Sequence, residues 1–487
     1  MLWFASAVAL ILLMTSKYGV GVSPDSVNYL SMAQNFADTG EMRNYQGEYL
    51  TVFPPLYTVL LAVGAFFFDV QRVAVFIQAI LFGLLAYSIS SIQHYDTKRA
   101  TFIGIIVVIL TLFSPVLAVS SMAWTELLYI LLSLFMFILL WRYIDNPYSV
   151  RILLLLALVV SLAPITRYIG IVNIATAVIA VFFYSKHDLR TRLIMVMLFG
   201  IAVTLPLLVW MLRNYGIDGT FLGPRNPSAF SLSQNIYRTY NTVAGWFFPG
   251  IIVRFLPGFL VAFSGVMLIS VVFFYLRNQL TWKKLLPLLV FIVLYVLWLN
   301  YSATQYAFDA IGSRLLSPIY VPILLILAFV FQALNRHDTN RLINTMFVVI
   351  LAFFAIRSSL IYGLQLRNAI DNGAGGYNSV AYHESITYLL SLESLDDELP
   401  IYSSRPDALW FVSGGKIEAA YMPRRGAHNS PIVLNSIDDI MPWPQSTPAY
   451  LFIFPGRSYW FTVEELSTVL TVRRLESAGI IEVFVVE

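Results

Sequence analysis

Four charged residues stand where a charge needs a purpose: Asp25, Glu126, Arg167 and Arg314. Asp25 opens a polar stretch, Val22 to about Val52, that separates two apolar segments. There it is either a proton acceptor facing a reaction or a favourable first-turn acid of a helix. Glu126 follows Ser120-Ser121-Met122-Ala123-Trp124-Thr125 and begins an apolar run, as a solvated cap or as part of a site. Arg167 lies within an apolar stretch broken only by Pro164. A charge inside membrane-type sequence is costly and points to function. A guanidinium facing a cavity could hold a phosphate, and the plainer reading is an Arg that snorkels to the interface. Arg314 precedes Leu315-Leu316-Ser317-Pro318 and follows Asp309, so it can either reach an anionic headgroup or pair with Asp309.

The elements that position these residues are read from apolar spacing and caps. Ser23 suits an N-cap, Pro24 a first helical turn and Gly40 a C-cap. Val27, Leu30, Ala33 and Ala37 recur at helical spacing between them, predicting an amphipathic helix on the membrane surface. Phe53-Pro54-Pro55-Leu56-Tyr57 then starts the next apolar run, because Pro fits the entry to a helix.

The chain is 59% hydrophobic and 12% charged over 487 residues, against about 25% charged in soluble domains; mean hydropathy is +0.75. Many runs approach the ~20 residues that cross a bilayer as helix. The expected fold is an all-α polytopic membrane bundle of about 11–13 transmembrane helices, with an outer juxtamembrane amphipathic helix and a small C-terminal α/β domain. Runs lie near 2–18, 53–68, 73–92, 101–119, 124–144, 151–163, 168–184, 193–212, 255–276, 285–299, 315–334 and 342–362. The apolar start lacks a basic n-region and a cleavage site, so it reads as an uncleaved first helix.

Basic short loops mark the cytoplasmic side. They occur at Lys98-Arg99, Arg142 with Arg151, Lys186 to Arg192, Lys283-Lys284, and Arg336 with Arg341. Alternation from these anchors places loops 22–52 and 213–254, the turns at Glu126 and Arg167, and the C-terminal segment outside. One parity conflict stands: 53–68 and 73–92 cannot both be full spans while Lys98-Arg99 stays inside.

Residues 1–362 read as the membrane domain, 363–376 as a linker and 377–487 as an extracytoplasmic α/β domain. In the last, Pro400–Ser403, Ala449–Phe454 and Ile480–Val486 read as strands, and Tyr382–Leu392 and Val463–Leu470 as helices. His383 and Glu384 have no second ligand at zinc-site spacing and read as surface residues. The sequence has no P-loop, Rossmann fingerprint or G-x-S-x-G elbow, and a net charge of +3 gives no sign of a nucleic-acid partner. With no Cys, disulfides, thiolate metal sites and Cys nucleophiles are excluded.

In their order, these motifs resemble the C-type glycosyltransferase superfamily, integral-membrane enzymes that use polyprenyl-phosphate sugars. The likeness is nearest to glycosyltransferase family 39-like proteins, similar to protein O-mannosyltransferases and the aminoarabinose lipid A transferases. It rests on Asp25 with Tyr29, Ala33 and Gly40, on Phe53 to Tyr57, on Glu126, on Thr166 to Gly170, and on Arg314 to Pro322. The resemblance implies a multi-pass protein of the plasma (inner) membrane. It would move a hexosyl or pentosyl group from a polyprenyl-phosphate donor to a lipid, glycan or protein acceptor at the outer face. Asp25 would be the general base, with inversion, and Arg167 and Arg314 would bind the donor phosphate. Tyr29, Glu48, Glu126 and Tyr168 are further site candidates. Some members use a divalent cation (Mg or Mn), which Asp25 and Glu126 could ligate. The reading from a different class is a transporter or flippase of a lipid-linked saccharide, which would more often carry its acid mid-bilayer.

Overall fold

Apolar helical sequence fills the first 372 residues and builds one bundle. The computed structural model describes the chain except residues 50, 93–97, 256–278, 337–340, 393–398, 432–436, 438–442 and 457–458. Its helices are α1 (Leu2–Met14), α2 (Pro24–Thr39), α3 (Leu56–Ala65), α4 (Val70–Ile92), α5 (Lys98–Leu112), α6 (Pro115–Ser120), α7 (Glu126–Asp145) and α8 (Val150–Thr166). They continue with α9 (Ile171–Tyr184), α10 (Leu189–Asp218), α11 (Leu232–Phe247), α12 (Gly250–Phe255), α13 (Gln279–Gln305), α14 (Ser313–Arg336) and α15 (Arg341–Asn372). Among the described residues, six helices are long and apolar enough to cross a membrane. Shorter apolar helices, Leu2–Met14, Thr101–Leu112, Val150–Thr166 and Tyr168–Tyr184 among them, complete the multi-pass bundle. The span read near 255–276 lies outside the described residues, save for the end of α12.

Two of these helices are apolar all round, yet they occupy opposite places. Nearly all of α7 is buried, from Glu126 to Tyr143. Along α10 only Phe199, Val203, Leu207 and Asn214 are buried, a stripe at four-residue spacing over its first three members. Its other apolar side chains, such as Leu198, Ile201, Leu205 and Leu212, are exposed, as suits a helix facing lipid.

The parity conflict is resolved by α3. Ten residues of helix reach ~15 Å, half the ~30 Å hydrocarbon core, so 53–68 does not cross. Gly64 lies against Val73, and Gln78 Nε2 donates to Tyr57 Oη at 3.1 Å. The helix therefore doubles back along α4 as a hairpin. With α3 removed, α1 and α4 are consecutive spans, and Lys98 falls at the same end as the N-terminus. At that end Trp141 Nε1 donates to the Lys284 carbonyl at 3.0 Å, and Tyr148 packs on His187 with ring centroids 5.0 Å apart. Three of the basic loops thus gather there, opposite the end that carries Asp25.

The caps foreseen for α2 are all present: Ser23 accepts from the Ser26 N–H, Pro24 lies at the helix start, and Gly40 closes it at φ 79°. The helix does not lie open on a lipid surface, however. Val27, Leu30 and Ala33 are buried, and so are Ser26, Tyr29 and Ser31. Its cover is the C-terminal domain, which shares a core with it: Val27 and Leu30 pack in one cluster with Ile386, Leu409, Phe452 and Val483.

That domain comprises α16 (Val380–Leu390), β1 (Ile401–Ser403), α17 (Pro406–Val412), β2 (Ala420–Tyr421), β3 (Ala449–Ile453), α18 (Val463–Leu466), β4 (Val472–Ala478) and β5 (Ile481–Val486). The sheet order is β2-β1-β3-β5-β4. Strand β1 is parallel to β2 and β3, and β5 is antiparallel to β3 and β4. Tyr450 and Phe452 face the α2 cluster, while Ala449 and Leu451 face a second core with Trp460 and Phe484. Both faces are covered, which is why β3 is a continuous apolar run rather than an alternating one. The sequence reading missed β2, which has two residues, and β4, whose Arg473, Arg474 and Glu476 hide the strand pattern.

Helix α15 continues ten residues into the segment read as a linker, and the glycines after it are bonded rather than loose. Val22 N–H donates to the Gly375 carbonyl at 3.2 Å, and Tyr377 N–H to the Val22 carbonyl at 2.8 Å. On the other side, Gly21 N–H donates to the Ser121 carbonyl at 2.8 Å and Ala123 N–H to the Gly21 carbonyl at 2.9 Å. Gly21 and Val22 are therefore a short bridged stretch held between 121–123 and 375–377. Gly376 has φ 61°, and a Cβ there would collide with the Val22 carbonyl oxygen. Gly376→Ala is expected to lower thermal stability in detergent by more than the ~1–2 kcal/mol of a left-handed residue alone. Gly47→Ala, at φ 79° with nothing near its Cβ, is the matched control and should show only the smaller loss.

Candidate active site

The four charged residues singled out from the sequence meet at the ends of their helices. Asp25 is in the first turn of α2, Glu126 begins α7, Arg167 follows α8, and Arg314 is the second residue of α14. Arg314 binds three acids at once. Its Nη2 lies 2.6 Å from Asp25 Oδ2, its Nε 2.8 Å from Glu126 Oε1 and its Nη1 3.0 Å from Asp309 Oδ2. Arg167 Nη1 lies 2.6 Å from the same Glu126 oxygen and donates to Thr125 Oγ1 at 2.9 Å. Arg314 thus makes the plainer of its two pairings, with Asp309, and joins Asp25 and Glu126 as well.

Burial grades the cluster. The Glu126 side chain is 0% exposed, those of Arg167 and Arg314 17% and 18%, Asp25 33% and Asp309 56%. Glu126 is the buried counter-ion that lets two guanidiniums approach one another, and Asp25 and Asp309 are the partly exposed acids of the cluster. Glu126 Oε2 and Arg167 Nε are buried and make no hydrogen bond within the chain. An unmet acceptor and an unmet donor at one place are groups a ligand can satisfy.

Trp124, which the sequence reading passed over, holds the arrangement. Its ring face lies 4.1 Å from the Arg314 guanidinium carbon, a cation–π contact. Its Nε1 donates to Ser23 Oγ at 2.8 Å, joining the Glu126 turn to the cap of the Asp25 helix. Gln78 Nε2 donates to the Trp124 carbonyl at 2.8 Å. The only sequence signal for this role was a tryptophan two residues before an acid.

Tyr29 lies one turn beyond Asp25, buried at the edge of the cluster. Burial, and then the Asp25 and Glu126 carboxylates, hold its phenol well above the usual range. It is therefore a neutral hydroxyl, able to donate but not to serve as a base. Tyr168 is not part of the cluster. Its hydroxyl donates to the Thr51 carbonyl at 2.9 Å and accepts from Trp210 Nε1 and Asn214 Nδ2 at 3.2 and 3.1 Å. It ties the end of the first loop to α10. Glu48 is also elsewhere, in a turn whose contacts run to Asn44. The stretch 213–254 is largely helical, since α10 extends to Asp218 and α11 is closed by a Ser231–Gln234 capping box.

The donor set does not fit a divalent cation at Asp25 and Glu126. Their facing oxygens are bridged by Arg314, so a cation would displace one guanidinium and remain beside another. Among the described residues, no three Asp, Glu, His or Cys side chains gather to hold a metal. Two guanidiniums with free N–H groups instead suit an anion.

Removing Glu126 should be the most damaging change here, because it leaves two arginines facing each other partly buried. Glu126→Ala is expected to destabilise the protein by about 3–5 kcal/mol, read as a lower Tm in detergent. Glu126→Ala combined with Arg167→Ala should lose less than the sum of the two single changes.

No family model and no curated protein matches the sequence. Solved structures do. ArnT from Cupriavidus metallidurans in the apo state aligns with TM-score 0.59 and 15% identity over 99% of this chain and 97% of that one. The same protein bound to undecaprenyl phosphate aligns with TM-score 0.59 and 14% identity over the same shares. An oligosaccharyltransferase from Archaeoglobus fulgidus, tethered with an acceptor peptide, gives TM-score 0.48 and 13% identity over 86% of this chain and 63% of that one. From end to end, the chain has the fold of the C-type membrane glycosyltransferase ArnT.

Proposed function

We propose that this chain is a membrane glycosyltransferase that moves a hexosyl or pentosyl group from a polyprenyl-phosphate donor to an acceptor. The acceptor is a lipid, glycan or protein, and the reaction takes place at the outer face of the plasma (inner) membrane. The observation that carries this reading is Arg314 bonded to Asp25 at 2.6 Å beside Arg167 and the buried Glu126. The ArnT fold, and its solved complex with undecaprenyl phosphate, support a lipid-phosphate donor. The basic loops gathered at the opposite end support placing this end outside the cytoplasm.

The chemistry follows from the charges. In the structure Arg314 occupies Asp25. A donor phosphate competes for the N–H groups of Arg314 and finds a further donor in Arg167 Nε. As Arg314 turns to the phosphate, Asp25 Oδ2 is released. The acceptor hydroxyl oxygen (or amine nitrogen) then attacks the anomeric carbon and gives its proton to Asp25. The bond from that carbon to the phosphate oxygen breaks, its electron pair leaves with the lipid phosphate, and the anomeric configuration inverts. The departing phosphate gains charge, so it needs cations rather than a proton, and Arg167 and Arg314 supply them. Donor capture thereby exposes the base only when there is a sugar to transfer. The transporter reading fits less well, because the charges sit at helix ends and not midway through the bundle.

Asp25→Asn should leave the fold intact and lower transfer by ~10²–10⁴-fold, the usual size of a general-base contribution. The assay is sugar transfer by purified protein in detergent-permeabilised membranes of a deletion strain, which hold donor and acceptor together. Mass spectrometry of that strain's glycans and glycolipids should show the loss of one sugar. Full transfer by Asp25→Asn would remove it as the base, and movement of a lipid-linked sugar across the bilayer without a new glycosidic bond would favour the transporter. Arg314→Lys should also fail to restore transfer, because one ammonium cannot reproduce the three-way contact of the guanidinium.

A further inference from the structure

His383, read from the sequence as a surface residue, is half-buried and engaged. Its ring stacks on Tyr18 with centroids 4.1 Å apart and an interplanar angle of 7°. Its Nε2 lies 2.9 Å from Asn378 Oδ1. That contact fixes how the Asn378 amide is turned, and its Nδ2 donates to the Val20 carbonyl at 2.7 Å. Asn378 and Val20 are both essentially inaccessible to solvent.

Val20 precedes the bridged stretch Gly21-Val22 that leads through the Ser23 cap to Asp25. In this short strand Gly21 is bonded to 121–123 and Val22 to 375–377. At Val20 the carbonyl is held by the Asn378 side chain. We infer that Asn378, oriented by His383, is a positioning residue that sets the direction in which Asp25 leaves this strand. The C-terminal domain would then belong to the catalytic register and not only cover it. Neither residue touches a reacting atom. Their effect passes through the backbone of Val20 to Ser23, and a displacement of an ångström at a base can cost ~10²-fold in rate. This rests on the proposed role of Asp25.

The test uses the full-length protein, purified and added to permeabilised membranes of the deletion strain. Transfer is followed at saturating and at limiting amounts of membrane. Asn378→Ala is expected to lower the saturated rate by ~10- to 100-fold, with half-saturation unchanged. His383→Ala should behave alike, and His383→Gln, whose amide N–H can still reach Asn378 Oδ1, should recover most of the rate. Hydrogen exchange at residues 20–23 should quicken in the two alanine variants while the rest of the chain keeps its protection. A wild-type saturated rate in Asn378→Ala, with its Tm held, overturns the assignment and leaves the glycosyltransferase reading standing. Equal losses in His383→Gln and His383→Ala also overturn it, because size rather than the hydrogen bond would be at work. If the wild-type chain itself transfers no sugar, the reading of Asp25 fails first and this inference falls with it.

Discussion

The sharing of Arg314 among Asp25, Glu126 and Asp309 is the contact on which the site depends. Partly buried charges are tolerated only when paired, and this pairing draws together three pieces of chain that span 289 residues of sequence. Helix α2 supplies Asp25, the first residue of α7 is Glu126 with Trp124 just before it, and the start of α14 supplies the arginine. Arg167, from the break after α8, completes the set through the same Glu126 oxygen. The bundle's helix packing brings these ends near one another. The ion pairs and the Trp124 contacts fix their orientation.

Much of this was legible because membrane helices leave strong marks. Caps at Ser23, Pro24 and Gly40 bounded α2 correctly, and the cost of charge in apolar sequence singled out Arg167. Other features were hidden for physical reasons. In a membrane bundle the lipid is as apolar as the core, so the sequences of α7 and α10 do not reveal that one is central and the other peripheral. Glu48 was misjudged because a polar loop carries several acids, and only the packed structure says which of them meets the arginines. Tyr168 was misjudged because sequence adjacency to Arg167 does not imply a shared direction: Tyr168 points to Thr51, Arg167 to Glu126.

The C-terminal segment shows the same limit from the other side. Glycine-rich composition around Gly373 to Gly376 suggested a flexible connection. The structure uses Gly376 for close approach to the Val22 carbonyl and Gly373 for close approach to the Asn378 carbonyl. Long-range backbone pairing of that kind carries no local signature. His383 was likewise unremarkable in sequence, and only its neighbours Tyr18 and Asn378 give it a role.

The pairing of Val22 with Gly375 and Tyr377 has a consequence for biogenesis. These partners are separated by more than 350 residues, so the strand before Asp25 cannot gain its second edge until most of the chain has been synthesised. Non-local contacts of this span form late, after local helices. The bundle can therefore insert and pack while its acid is still imperfectly aimed, and the completed C-terminal domain locks the first loop as the closing event. An incompletely made chain would be a membrane bundle whose first loop is still held by one edge alone.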